Sequence, residues 1–242
     1  AVMALPLTDL GPSGWRWVFA LTLIWLVIAI DITRRLPESR RFSAPHAEHV
    51  PLHRTRFFTL AAILVGVNLL VAPASFFQNR YLSDVRELSG STISLFSLAT
   101  ATPAAIGLII GGRAADRRGR RRLIAMSLPL AALLIVASFS LGGLPMWITA
   151  FGGGLLGGVA SPALAVYRAE LFPTGNRSRA TGLLTAAALL GGIAGLLGAG
   201  ALLDTGWDYR SVMGLLMFGQ VIAVILVVVG LPETAQRELE EI

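Results

Sequence analysis

The sequence predicts an all-α polytopic membrane protein of seven transmembrane helices, six of them forming one bundle and one standing before it. Three observations carry this. Of the 242 residues, 55% are hydrophobic and only 14% charged, against about 25% charged in an ordinary soluble domain. The apolar residues gather into seven runs, most close to the roughly 20 residues a helix needs to cross a bilayer core. Finally, one frame is written twice: GWRWVFALTLIWLVIAIDITRRLPES at 14–39 and GWDYRSVMGLLMFGQVIAVILVVVGLPET at 206–234.

The runs are 17–32, 57–77, 91–110, 123–141, 144–167, 180–203 and 211–231. A soluble bundle would place polar residues at every third or fourth position; these runs do not, and strand alternation is absent. The first run is short, and Asp31 near its end suits an interfacial ion pair with Arg34 or Arg35. The fifth and sixth carry FGGGLLGGVASPA and LLGGIAGLLGAG. Without GK[ST] or a preceding strand these are not phosphate loops; in apolar helices they mean close helix packing. Pro73, Pro103 and Pro162 can bend the helices that hold them.

Sixteen of the 20 arginines lie in the intervals 33–56, 111–122, 168–179 and after 231, and four in the alternate set. The positive-inside rule therefore places the linker 33–56, the loops 111–122 and 168–179, and the C-terminus in the cytoplasm. The net charge of +6 serves topology and lipid headgroups; no reading motif for nucleic acid is present. Cysteine is absent, which removes disulfides and thiol chemistry. His46, Glu48, His49 and His53 superficially resemble a metal site, but Pro51 interrupts any helix that would align them. No metal or cofactor is expected. The opening AVMALPLTDL lacks the basic region of a signal peptide and reads as the interior of a longer protein.

If the two copies of the frame are equivalent, the repeat contains six spans. The chain then divides into 1–32, the last helix of a preceding copy; 33–56, a linker; 57–231, a six-helix bundle; and 232–242, a cytoplasmic tail. Parallel repeats about an axis along the membrane normal are a transporter architecture.

Between the third and fourth runs stands GGRAADRRGRRR. From Gly112 it reads G-x-x-x-D-R-x-G-R-R and resembles the cytoplasmic loop motif of the major facilitator superfamily, between the second and third helices of each half. YRAELFPTGNRSRATG at 167–182 is similar to the loop after the fourth helix of the same half. LPETAQRELEEI resembles the C-terminal signature of the sugar-porter-like branch, with LPESRR as its mid-protein counterpart. The resemblance covers the chain from the last helix of the first half onwards.

Physically, Gly112 would let a neighbouring helix approach, Gly119 would permit a tight turn, and Asp116 suits arginine or a helix N-terminus. Arginine forks match carboxylates. The resemblance implies that Arg117, Arg120 or Arg121 pairs with Glu170 and with acids of the missing N-terminal half, as a latch closed when the carrier opens outward.

Polar residues at membrane depth are candidates for the solute site: Asn68, Gln78 and Asn79 in the second run, Thr100 and Thr102 in the third, Trp147, Ser161 and Tyr167 in the fifth, Gln220 in the seventh. The resemblance favours the second run over Gln220, since the sixth helix of each half faces lipid. It implies a secondary carrier of a small organic solute (sugar, organic acid or similar metabolite) in a bacterial plasma membrane, working by alternating access. Proton coupling would need an acid in the missing half. A carrier-derived sensor or interaction protein, and a drug or metabolite efflux antiporter, are the alternatives. An intramembrane enzyme finds no paired acids, Ser/His pair or HExxH.

Overall fold

A computed structural model describes residues 14–35 and 53–233, and the secondary structure in them is helical. The helices are α1 (Gly14–Arg35), α2 (Arg54–Asp84), α3 (Gly90–Arg118), α4 (Arg120–Ser138), α5 (Gly143–Glu170), α6 (Thr174–Asp204) and α7 (Tyr209–Gly230). Each apolar run lies in one helix, at most a few residues past its end. The chain divides into two units, Ala1–Ala47 and Glu48–Ile242. In the first, the described part is α1, whose Asp31 and Arg35 pair at 2.9 Å with both side chains exposed. In the second, α2–α7 are all long and apolar enough to cross a membrane. At 1.5 Å per residue, α2 spans about 46 Å, well beyond the roughly 30 Å of hydrocarbon.

The helices are longer than their apolar runs, which corrects the expected intervals. The interval 111–122 is helical except at Gly119, and 168–179 is helical except at 171–173. The linker 33–56 loses Thr33–Arg35 to α1 and Arg54–Arg56 to α2; its interior, with His46, Glu48 and His49, lies outside the described residues, as does the tail after Glu233. Alanine and arginine are good helix formers, so the helices continue past the point where hydropathy falls. Two starts are capped by side chains. Ser89 accepts the Thr92 N–H at 3.4 Å, and Asp208 accepts that of Ser211 at 3.2 Å. The bonds from Ser211 hold the Asp208 carboxyl below its ordinary range.

Packing sorts the bundle into two three-helix blocks. In one, α2 lies against α6 and α7; in the other, α5 lies against α3 and α4; the blocks meet chiefly where α4 touches α7, and apart from α4 and α5 the helices adjacent in sequence scarcely touch. Glycine sets the spacing. A Cβ on Gly107 would stand 2.2 Å from the Leu155 carbonyl oxygen, and one on Gly158 the same distance from that of Ala104. Gly191 and Gly195 meet the α2 backbone in the same way. Gly158→Ala should therefore lower bundle stability by about 1–3 kcal/mol, since backbone cannot step aside. Its neighbour Gly157, where a Cβ meets nothing within 4 Å, is the control; Gly157→Ala should leave the thermal midpoint in detergent unchanged or raised.

The blocks carry a matching tyrosine contact. α2 ends in Tyr81-Leu-Ser-Asp84 and α5 in Tyr167-Arg-Ala-Glu170. Tyr81 donates its hydroxyl to the Leu141 carbonyl, just past α4, at 3.5 Å. Tyr167 donates to that of Pro232, just past α7, at 2.9 Å. Because α2 and α5 run in opposite directions, the two tyrosine clasps close opposite ends of the bundle. Each end has its own apolar cluster, one around Leu64, Tyr167 and Phe172, the other around Phe77, Tyr81 and Phe139.

Gln220 of α7 sits between the clusters, with Leu216 in one and Ala223 in the other. It is 1% exposed, and its amide oxygen has no hydrogen-bond partner among the described residues. A buried acceptor left unpaired costs about 1–3 kcal/mol. Gln220→Leu should therefore raise the thermal midpoint.

Candidate functional site: a charged clasp and a polar cavity

The turn between α3 and α4 is one residue long. Gly119 takes φ +94°, and a Cβ there would lie 2.7 Å from the Glu233 Oε2 atom. Glu233 follows the end of α7 in the second Leu-Pro-Glu. Its carboxylate accepts the backbone N–H of Arg120 at 2.9 Å and that of Arg121 at 3.1 Å. These are the first N–H groups of α4, which have no partner within their own helix, and a carboxylate there also favours the helix dipole. The Arg121 guanidinium donates to the Val228 carbonyl at the end of α7. The last turn of α7 is thus bound to the first turn of α4.

Arg120 turns inward. Its side chain is 9% exposed, and Nη2 lies 2.9 Å from Glu170 Oε1 and 3.3 Å from Asp116 Oδ1, whose side chain is 71% exposed. One guanidinium thereby connects the end of α3, the start of α4 and the end of α5. Directly beside it, Tyr167 clasps Pro232. Its ring is fully buried, and the charges of Glu233, Arg120, Arg121 and Glu170 lie around its hydroxyl.

Of the three arginines named from the sequence, Arg120 makes the contact with Glu170. Arg117 lies exposed in the last turn of α3, and Arg121 faces α7. Close approach falls to Gly111 rather than Gly112: a Cβ on Gly111 would stand 2.3 Å from the Val159 carbonyl oxygen, and one on Gly112 meets nothing within 4 Å. The helical turn explains it, because Gly111 shares a face with Gly107. The sequence reading missed Glu233 as the cap of α4, although the repeated Leu-Pro-Glu pointed at it.

At the opposite end, α2, α3, α4 and α5 line a half-open, mostly apolar pocket of about 300 Å³. Its polar wall is Ser75 and Gln78 from α2, Ser97 and Thr100 from α3, and Ser138 from α4. Gln78 and Thr100 therefore line the same pocket. Asn79 stands at the margin, accepting the Ser97 hydroxyl at 3.3 Å. Asn68 is elsewhere: its amide donates to the Leu64 carbonyl of its own helix at 2.9 Å. Trp147 packs edge-on against Phe96, with ring centroids 4.8 Å apart. Ser161 is exposed, and Thr102 bonds its own helix at Leu98. Asn68, Trp147 and Ser161 are not among the residues lining this cavity.

A family model described as the Major Facilitator Superfamily matches residues 57–241. Among solved structures, the inward-open conformation of the xylose transporter XylE from E. coli is similar, with a TM-score of 0.52 and 21% sequence identity over 74% of this chain and 48% of that one. At that identity the likeness is one of fold. The chain spans about half the length of this solved relative.

Proposed function

Because the chain belongs to the Major Facilitator Superfamily, an integral membrane family, we propose that it forms one lobe of a secondary carrier that moves a small organic solute by alternating access. The observation that carries the reading is the clasp at Arg120. A partly buried ion pair joins three helix ends there, and Glu233 fixes its backbone from a fourth. A contact of that kind has two discrete states, made and parted, which a gate requires. The remaining oxygen of Glu170 is buried and has no hydrogen bond among the described residues.

In this reading the arginine-rich Arg120 end is cytoplasmic, and the cavity lies in the outer half of the lobe. The lobe 57–231 is joined through the linker 33–56 to a first half of which 1–32 is the last part, and α1 is a seventh span. Gly112, Asp116, Arg117, Gly119, Arg120, Arg121 and Glu170 form the gating segment. Gln78, Asn79 and Thr100 face solute at the outer end, while Asn68, Trp147 and Ser161 are left to contacts shared with a second lobe. Protons are the proposed coupling ion, carried by an acid of the first half, because the spans of this lobe hold none at depth.

The test is uptake of radiolabelled polyols, sugars and organic acids by the full-length protein in proteoliposomes. Concentrative uptake that collapses with the proton gradient is the expected result. Saturable binding without flux would instead establish a sensor derived from a carrier.

A further inference from the structure

The pattern G-x-x-x-D-R-x-G-R-R from Gly112 leaves three arginines of its stretch unused: Arg113, Arg118 and Arg122. The clasp takes Arg120, and Arg121 donates to α7. Arg118 and Arg122 flank Gly119 on either side, both exposed. Neither enters an ion pair among the described residues. The acids of this corner are engaged elsewhere. Asp116 and Glu170 meet Arg120, and Glu233 caps the start of α4. The corner thus presents two cations and no counter-charge for them among the described residues.

What lies against this corner follows from α4. Met126, Leu130 and Leu133 are 61%, 49% and 52% exposed. They follow Arg122 at helical spacing, so Arg122 heads the same ridge. In a helix long and apolar enough to cross a membrane, such a ridge faces hydrocarbon. Arg122 stands about 6 Å beyond Met126 along the axis. Side chains lean toward the N-terminus of their helix, and α4 begins at Arg120. Arg122 therefore leans out of the hydrocarbon toward headgroup level, where arginines at helix ends place their charge. Arg118, across the turn, is four residues away, at most about 14 Å even along an extended chain. Two guanidinium forks at that separation can grip one phosphate between them.

We propose that Arg118 and Arg122 hold the headgroup of an anionic phospholipid whose acyl chain lies along Met126, Leu130 and Leu133. A choline headgroup carries a phosphate too, but it would bring its own cation to two arginines that already lack an anion. Each arginine beside anionic lipid favours binding about fivefold, and the ridge fixes where the chain runs. The site stands whether or not the chain carries a solute.

Cysteine is absent from the sequence, so a reporter can be placed by a single substitution. Met126→Cys in the full-length protein, labelled with bimane and reconstituted in vesicles, reads the lipid on the ridge. Ile225→Cys, 54% exposed near the end of α7, is the reference. Dibrominated phosphatidylglycerol should quench the reporter at 126 at least threefold more than dibrominated phosphatidylcholine at equal mole fraction. At 225 the two lipids should quench alike. Arg118→Gln with Arg122→Gln should abolish the preference at 126 and leave quenching at 225 unchanged, the sign of an intact bundle. Arg34→Gln with Arg179→Gln removes the same charge from two other exposed arginines and should leave the preference in place. Equal quenching by both lipids at 126, a matching preference at 225, survival of the preference in the Arg118 and Arg122 pair, or its loss in the Arg34 and Arg179 pair overturns the site.

Discussion

Replacing Arg120 with leucine is expected to lower the stability of the bundle by about 3–5 kcal/mol, because a partly buried ion pair is broken from one side only. Glu170 is 21% exposed, too little for water to reclaim its charge fully. Glu170→Leu should cost less, because the guanidinium keeps its contact with Asp116 at 3.3 Å. The pair Arg120→Leu with Glu170→Leu should recover most of the loss, since two apolar groups of similar bulk replace two charges. Thermal midpoints of the three variants in detergent form the cycle; simple addition of the two losses would show that these side chains do not act on one another. Asp116→Asn touches the same guanidinium from a 71% exposed position and should change stability by only about 0–1 kcal/mol. Transport separates gate from scaffold. The leucine pair should regain stability but not the flux of the native protein.

Gly119→Ala is the second large effect, about 2–4 kcal/mol. It combines strain from a positive φ that alanine resists with loss of the Glu233 cap. At φ +94° the new methyl would meet the Glu233 carboxylate, which then leaves the N–H groups of Arg120 and Arg121. The two parts can be separated. In a Glu233→Ala background there is no cap to evict, so Gly119→Ala should there cost the backbone strain alone. Equal costs in both backgrounds would mean that Glu233 does not sit against Gly119.

The six bundle helices were legible because hydropathy reports lipid contact directly. Large side chains such as Leu189, Leu197, Phe218 and Val229 remain more than half exposed on the bundle surface, which only a hydrocarbon solvent tolerates. Helix ends were not legible: Arg113–Arg118 are charged or small, carry no hydropathy signal, and yet continue α3. The choice among Arg117, Arg120 and Arg121 was open for another reason. It depends on the phase of α4 after the break at Gly119, and a one-residue change in that phase turns each side chain by roughly 100°. Glu233 was missed because its partners lie 113 and 112 residues away in sequence, where no periodicity connects them. Asn68 shows a different limit. A polar residue at membrane depth can satisfy itself on its own helix, and composition does not distinguish that from waiting for a ligand.

The glycine seams bear on how such a lobe can deform. Along α3 and α5 the peptide carbonyl of one helix seats in the notch left by a missing side chain on the other. Sliding the pair lengthwise would have to lift each oxygen out of its notch and over the neighbouring backbone, all along the contact at once. The two helices therefore behave as one strut, as do α2 and α6. Shape change is left to the thin joints between struts, where leverage at one end of the membrane becomes displacement at the other.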